Sequence, residues 1–183
     1  MEIYLIRHTS VDVPQGCTYG QTDVPLRDSF EEEAAVVKKR LEGIRFDKVW
    51  TSPLSRCVRL ATYCGYADAE REERILELNF GDWEMKSWDD LSADPRSIAW
   101  FEDWVNIACP NGESMQDQLK RVSEFLDKIR KYANKNNLKR IALFAHGGVL
   151  TCARIYAGHY DIKDAFKNMP AYGEVIQLTF NEE

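Results

Sequence analysis

The sequence predicts an α/β protein with a largely parallel sheet. Short apolar runs at 1–6, 46–51 and 140–145 read as buried strands. Each is followed by a turn signal and a helical pattern, the alternation that builds parallel sheets. No repeat, low-complexity stretch or linker divides the chain, so its 183 residues read as one domain with room for a sizeable core.

Bulk properties narrow the class. Apolar residues at 44% and charged residues at 30% are ordinary for a soluble globular protein. A net charge of -6 argues against general affinity for nucleic acid, because no overall cationic excess exists to displace counterions. No apolar stretch approaches the ~20 residues that span a bilayer. The run Met1 to Ile6 is too short for a secretory signal and lacks a basic lead. A cytoplasmic protein with no membrane partner is expected. The cysteines Cys17, Cys57, Cys64, Cys109 and Cys152 are odd in number and include no C-x-x-C pair. Neither a disulfide framework nor a zinc motif is indicated, and reduced thiols, mostly buried, are the default. No His, Cys or carboxylate cluster has metal-ligand spacing, so neither metal nor other cofactor is expected.

The elements follow in order. Met1 to Ile6 is the first strand, and it runs directly into Arg7-His8-Thr9. Ser10 to Arg27 carries Pro14, Gly16, Gly20 and Pro25 and reads as a loop long enough to be functional. Ser29 is placed to cap the next helix, with Glu31, Glu32 and Glu33 near its positive end. After the strand Phe46 to Thr51, Ser52-Pro53 reads as a helix start, with Ser as N-cap and Pro at the first helical position. That helix puts Arg56 in its first turn, continues to about Cys64, and carries Cys57 and Cys64 on one face. Ile75 to Glu84 reads as an extended piece ending in a turn.

From Ser87 to Ile107 the pattern is helical but broken at Pro95, and it looks like a small subdomain laid over the sheet edge. Pro110-Asn111-Gly112 turns into a long helix from Met115 to about Ala133. Leu119, Val122, Phe125, Leu126, Ile129 and Tyr132 form its apolar stripe. Arg140 to Ala145 is the clearest late strand. It ends in His146-Gly147-Gly148 before a helix from Val149 to about Tyr156. Glu174 to Phe180 alternates and reads as a closing edge strand.

The chemistry gathers at strand ends. In an open parallel sheet the carboxyl ends face the ligand crevice. Arg7 and His8 follow the first strand, Arg56 follows the second, and His146 follows the late one. Two arginines and two histidines at one crevice suit a phosphate monoester. Guanidiniums neutralise non-bridging oxygens, and the glycines after His146 let helix amides approach an anion. One imidazole can take the phosphoryl group covalently while the other donates to an oxygen. Each residue alone has a structural reading. Arg56 fits a helix surface, and His146 fits a core histidine bonded to backbone.

These segments resemble the histidine phosphatase superfamily, which includes cofactor-dependent phosphoglycerate mutases and α-ribazole phosphatases. Leu5-Ile6-Arg7-His8 is similar to its signature, and Thr51 to Arg56 to its second arginine motif. Leu76 to Glu84 resembles the segment with the acidic catalyst. Pro110 to Ser114 resembles the turn before the family's long helix, and Ala145 to Gly148 the second histidine motif. The matches run in family order along nearly the whole chain. The resemblance implies a three-layer sandwich, phosphoglycerate mutase-like, with helices on both faces of a mostly parallel central sheet. It implies one domain over 1–183 with a small helical cap at about 86–107. By the same resemblance His8 is the nucleophile. Arg7, Arg56 and His146 hold the phosphoryl oxygens. Glu77 protonates the leaving alkoxide, with Glu84 as the rival acid. Thr9-Ser10 departs from the family's usual Gly-Glu and implies a changed loop shape with unchanged chemistry.

Within that family the chain looks most like the α-ribazole phosphatases. The mutases are longer and carry a basic insert, whereas here 86–107 is short and acid-rich, with Asp89, Asp90, Asp94, Glu102 and Asp103 against Lys86 and Arg96. A second anionic group would bind poorly there. Tyr19 and Gly20 of the loop and Gly147 after His146 are expected to touch the substrate, with Tyr19 and the tryptophans able to stack on a flat base. The expected partner is a small phosphate monoester, foremost α-ribazole 5′-phosphate of cobalamin assembly. The alternatives are a mutase, a sugar-phosphate or phosphohistidine phosphatase, and a non-catalytic phosphate binder.

Overall fold

The computed structural model describes residues 1–181. Five strands form one sheet: β1 (Glu2–Arg7), β2 (Lys48–Thr51), β3 (Glu70–Arg71), β4 (Arg140–Ala145) and β5 (Val175–Thr179), in the order β3-β2-β4-β1-β5. The first four are mutually parallel where they pair, and β5 runs antiparallel along β1 as the edge. This is the mostly parallel α/β sheet that the strand-helix alternation predicts.

Side-chain alternation splits the sheet between two cores. Ile3, Leu5, Ile141 and Leu143 enter one, beneath α5 (Met115–Asn136) and α6 (Gly147–Tyr156). Tyr4, Ile6, Ala142 and Phe144 enter the other, beneath α1 (Phe30–Arg40) and α2 (Ser55–Tyr63). Successive strand residues point to opposite faces, so continuous apolar runs are what a sheet covered on both sides requires. The helix ends agree with their charges. α1 carries Glu31, Glu32 and Glu33 in its first turn and Lys38, Lys39 and Arg40 in its last. α5 opens with a capping box between Ser114 and Asp117 and ends at Asn137, whose φ of 54° is left-handed.

A third, smaller cluster joins Trp83, Leu91, Trp100 and Cys109. Its helices are α3 (Trp88–Ala93) and α4 (Ser97–Glu102), which flank Pro95. Among the described residues no helix is long and apolar enough to cross a membrane.

Several local expectations are corrected. Ser52-Pro53 does not start the second helix: α2 begins at Ser55 with Leu54 as its N-cap. Ser52 extends the ladder, its N–H donating to the Phe144 carbonyl at 2.8 Å, and its hydroxyl is committed to His146. Asp23 of the long loop binds the helix start instead, accepting from Ser55 N–H at 3.0 Å and from the Ser55 hydroxyl at 2.7 Å. Ser29 holds the N-cap position of α1 without a side-chain cap bond, because its hydroxyl donates to Glu33 at 2.8 Å. The segment from Ile75 to Glu84 does follow its reading, leaving Leu76 extended and ending in a turn. It is bracketed by 3-10 turns at Glu73–Ile75 and Gly81–Trp83. On α5, Tyr132 is exposed, while Gln118 is buried on the stripe. Cys57, Cys109 and Cys152 are buried, and Cys17 and Cys64 are half-buried.

Candidate active site

The register of β1 on β4 pairs Arg7 with Ala145, which brings the next residues, His8 and His146, to one level. Their ring centroids are 5.3 Å apart. Both are buried. His8 Nδ1 lies 2.8 Å from the Thr9 carbonyl oxygen. A carbonyl only accepts, so Nδ1 carries the hydrogen and Nε2 keeps a free lone pair. Burial, then the charge of Arg56, holds the His8 pKa well below 6.5. Arg7 adds to that, and the Thr9 hydrogen bond opposes it. His146 is lowered in the same direction by burial, then by Arg56, His8 and Arg7. Both rings are therefore neutral near pH 7. His146 Nε2 shares a 2.7 Å hydrogen bond with the Ser52 hydroxyl.

Arg56 is entirely buried. Its Nη1 donates to the Thr22 carbonyl at 2.8 Å and its Nη2 to the Gly20 carbonyl at 2.6 Å. The guanidinium thus ties the long loop to α2. Arg7 donates through Nη1 to the Pro170 carbonyl. The Nε groups of both arginines are buried without a protein acceptor. A cationic donor left unpaired inside a protein is costly, and an anion is the group that completes it. Gly147 opens α6 beside Arg7. A side chain there would stand 3.1 Å from the guanidinium carbon.

The two candidate acids differ in their surroundings. Glu77 Oε1 accepts from the Gln118 side chain at 2.9 Å and from Leu78 N–H at 3.0 Å, and Oε2 accepts from Gly148 N–H at 3.1 Å. Glu84 is spent on the loop. Its carboxylate accepts from Gly20 N–H and Gln21 N–H at 2.9 Å, from the Thr22 hydroxyl at 2.8 Å and from Phe80 N–H at 3.1 Å. Glu84 therefore has the arrangement of a loop anchor. Ser10, at the unusual Thr9-Ser10 pair, donates its hydroxyl to Glu33 at 2.7 Å and so pins the loop to α1.

A cleft of about 180 Å³ opens beside these groups. Arg7 and Glu77 line it together with the apolar faces of Phe80, Trp88, Phe166 and Met169. Tyr19 also lines it, and its hydroxyl is hydrogen-bonded to that of Tyr172. Burial, then that bond, pushes the Tyr19 phenol pKa upward, so it stays neutral. The Tyr172 ring lies on Arg7, with 4.2 Å from guanidinium carbon to ring centroid, and 5.7 Å from the His8 ring. The Tyr19 ring lies 5.5 Å from the guanidinium carbon of Arg56.

His8, Arg7, Arg56 and His146 thus come together, and Glu77 sits on the cleft with Arg7. Sequence reasoning passed over Ser52, Gln118, Arg121 and Tyr172. Gln118 left a signal, a polar residue one turn before Val122 on an apolar stripe. Tyr172 left none, because its place depends on how the chain packs before β5.

Imidazoles held neutral beside arginine Nε groups that are buried without an acceptor, at the strand ends of a parallel sheet, make an arrangement suited to phosphoryl transfer. The family follows from residues 3–183, which match the profile of the histidine phosphatase superfamily (branch 1). The chain belongs to that superfamily and is a phosphatase. It is 32% identical over 159 residues to the Escherichia coli K12 protein named adenosylcobalamin/alpha-ribazole phosphatase, covering 82% of this chain and 76% of that one. The crystal structure of the alpha-ribazole phosphatase from Shigella flexneri superposes with a TM-score of 0.89 at 25% identity, covering 100% of this chain and 92% of that one. Phosphoglycerate mutase from Thermus thermophilus gives 0.76 at 26% identity, covering 97% and 92%.

Proposed function

We propose that the protein hydrolyses a small phosphate monoester through a phosphohistidine at His8, and that α-ribazole 5′-phosphate is its substrate. The observation that carries the reaction is the pair of buried, acceptorless arginine Nε groups beside a neutral imidazole with a free Nε2. Arg7, Arg56 and His146 hold the phosphoryl oxygens. The Nε2 lone pair of His8 attacks phosphorus as the ester P–O bond breaks, and Glu77 gives its proton to the departing alkoxide. Water then attacks the phosphohistidine and yields a proton to Glu77. The N–P bond breaks, inorganic phosphate leaves, and both groups return to their starting states. Tyr19 and Tyr172 part to admit the ester, since each ring lies on one of the two arginines.

The apolar wall of the cleft supports an alcohol bearing a flat, weakly polar base, as do the names of the relatives. Residues 86–107 form a cap whose Trp88 contributes to that wall. Hydrolysis is favoured over mutase chemistry because Arg96 of the cap is already paired with Asp82 at 2.9 Å and Asp94 at 2.7 Å. Arg96 also lies outside the cleft lining, so it offers no second anion site there. The test is a panel of α-ribazole 5′-phosphate, 3-phosphoglycerate and sugar phosphates compared by kcat/KM. The highest value is expected for α-ribazole 5′-phosphate. A higher value for a sugar phosphate, or interconversion of phosphoglycerates, would refute the assignment.

A further inference from the structure

Gln118 is completely buried on α5, and its amide nitrogen is spent on Glu77. Its amide oxygen is buried with no partner. An apolar side chain of similar shape would spare the fold that unpaired group, so the amide is poorly explained by stability. Nor is it needed to hold the chain at Glu77. One turn along the same helix, Arg121 donates to the Glu77 carbonyl at 2.9 Å and to the Leu76 carbonyl at 2.7 Å. Arg121 is itself fixed by Glu113 at 2.7 Å. What Gln118 adds is the orientation of the carboxyl group.

We propose that Gln118 is the positioning residue for the proton-transfer step, and that Oε2 of Glu77 is the oxygen that carries the proton. The proposal rests on Glu77 being the acid. Oε1 already accepts two N–H groups, from Gln118 and Leu78, and a proton there would face both donors. Oε2 accepts one, from Gly148 at the start of α6, and keeps room for a proton. Gly148 must lack a side chain for this packing. A Cβ would stand 2.9 Å from both amide atoms of Gln118 and would run into Glu77 Oε1. The carboxyl is thereby clamped between α5 and α6, with one face open to the cleft.

The test compares Gln118→Leu and Gln118→Met with wild type on an alkyl phosphate and on 4-nitrophenyl phosphate, whose leaving group needs little protonation. kcat/KM is the proper quantity, because it reports formation of the phosphoenzyme alone. Losing the orientation should lower the alkyl value about tenfold and the aryl value less than about twofold. The melting temperature should hold or rise. Equal losses on both substrates, or an unchanged alkyl value, would overturn the proposal. Glu77→Gln, run alongside, separates the two ideas. If it is alkyl-selective while both Gln118 variants keep the wild-type ratio, positioning fails and the acid assignment stands. If Glu77→Gln shows no selectivity, the acid assignment fails and takes the proposal with it.

Discussion

Lowering the pH from about 7.5 to about 5.5 should remove on the order of 2–3 kcal/mol of folding stability through two buried histidines. His8 and His146 both have folded pKa values well below the ordinary 6.5, chiefly through burial. The unfolded chain therefore binds their protons first as the pH falls. Their contribution is present in full above about pH 6.5 and is lost below it, as long as the folded rings stay neutral. At about pH 5.5 protonation favours the unfolded form by on the order of 1 kcal/mol for each ring. For a chain of this size the two together should lower Tm by about 5–10 °C. Urea titrations across this range measure the slope directly, and the double variant His8→Gln/His146→Gln should flatten it. A flat wild-type profile, or an equal slope in the double variant, would refute the claim that these rings are held neutral. The same neutrality lets His8 serve as the proposed nucleophile without an activating carboxylate.

Two further expectations bear on the site. Glu84→Ala removes the acceptor shared by Gly20, Gln21, Thr22 and Phe80. It should cost about 2–4 kcal/mol in urea unfolding and raise KM, with the alkyl-to-aryl ratio unchanged. A selective loss on alkyl phosphates would return the acid role to Glu84. Activity should survive exhaustive treatment with a metal chelator, since the proposed chemistry uses only side chains. Loss that is restored by a divalent cation would contradict it.

The strands most legible in the sequence were those buried on both faces. Arg140 to Ala145 could be read to the residue because no polar group interrupts it. The level of His8 and His146 followed from treating both as strand ends, which needs no tertiary detail. The start of α2 misled because Ser52-Pro53 is locally a sound cap. The sheet ladder and His146 claim that serine first, and both lie far away in sequence. Tyr132 and Gln118 show the same limit on α5. Counting apolar residues put Tyr132 on the stripe, whereas the buried face runs through 118, 122, 125, 126, 129 and 133. Tyr172 reaches the site through the turn before β5, where Gly173 N–H donates to the His8 carbonyl at 3.1 Å. No pattern in the residues around it announces that contact.

Covalent catalysis at the proposed nucleophile, His8, leaves a phosphoryl group on the chain during turnover. Rapid acid-free quenching of the enzyme with substrate, followed by mass spectrometry of the intact chain and its peptides, tests it most directly. One phosphoryl group per chain is expected, on His8, formed no slower than turnover and absent in His8→Ala, which should remain folded and inactive. Undiminished turnover by His8→Ala, or a phosphoryl group carried on another residue, would contradict the account.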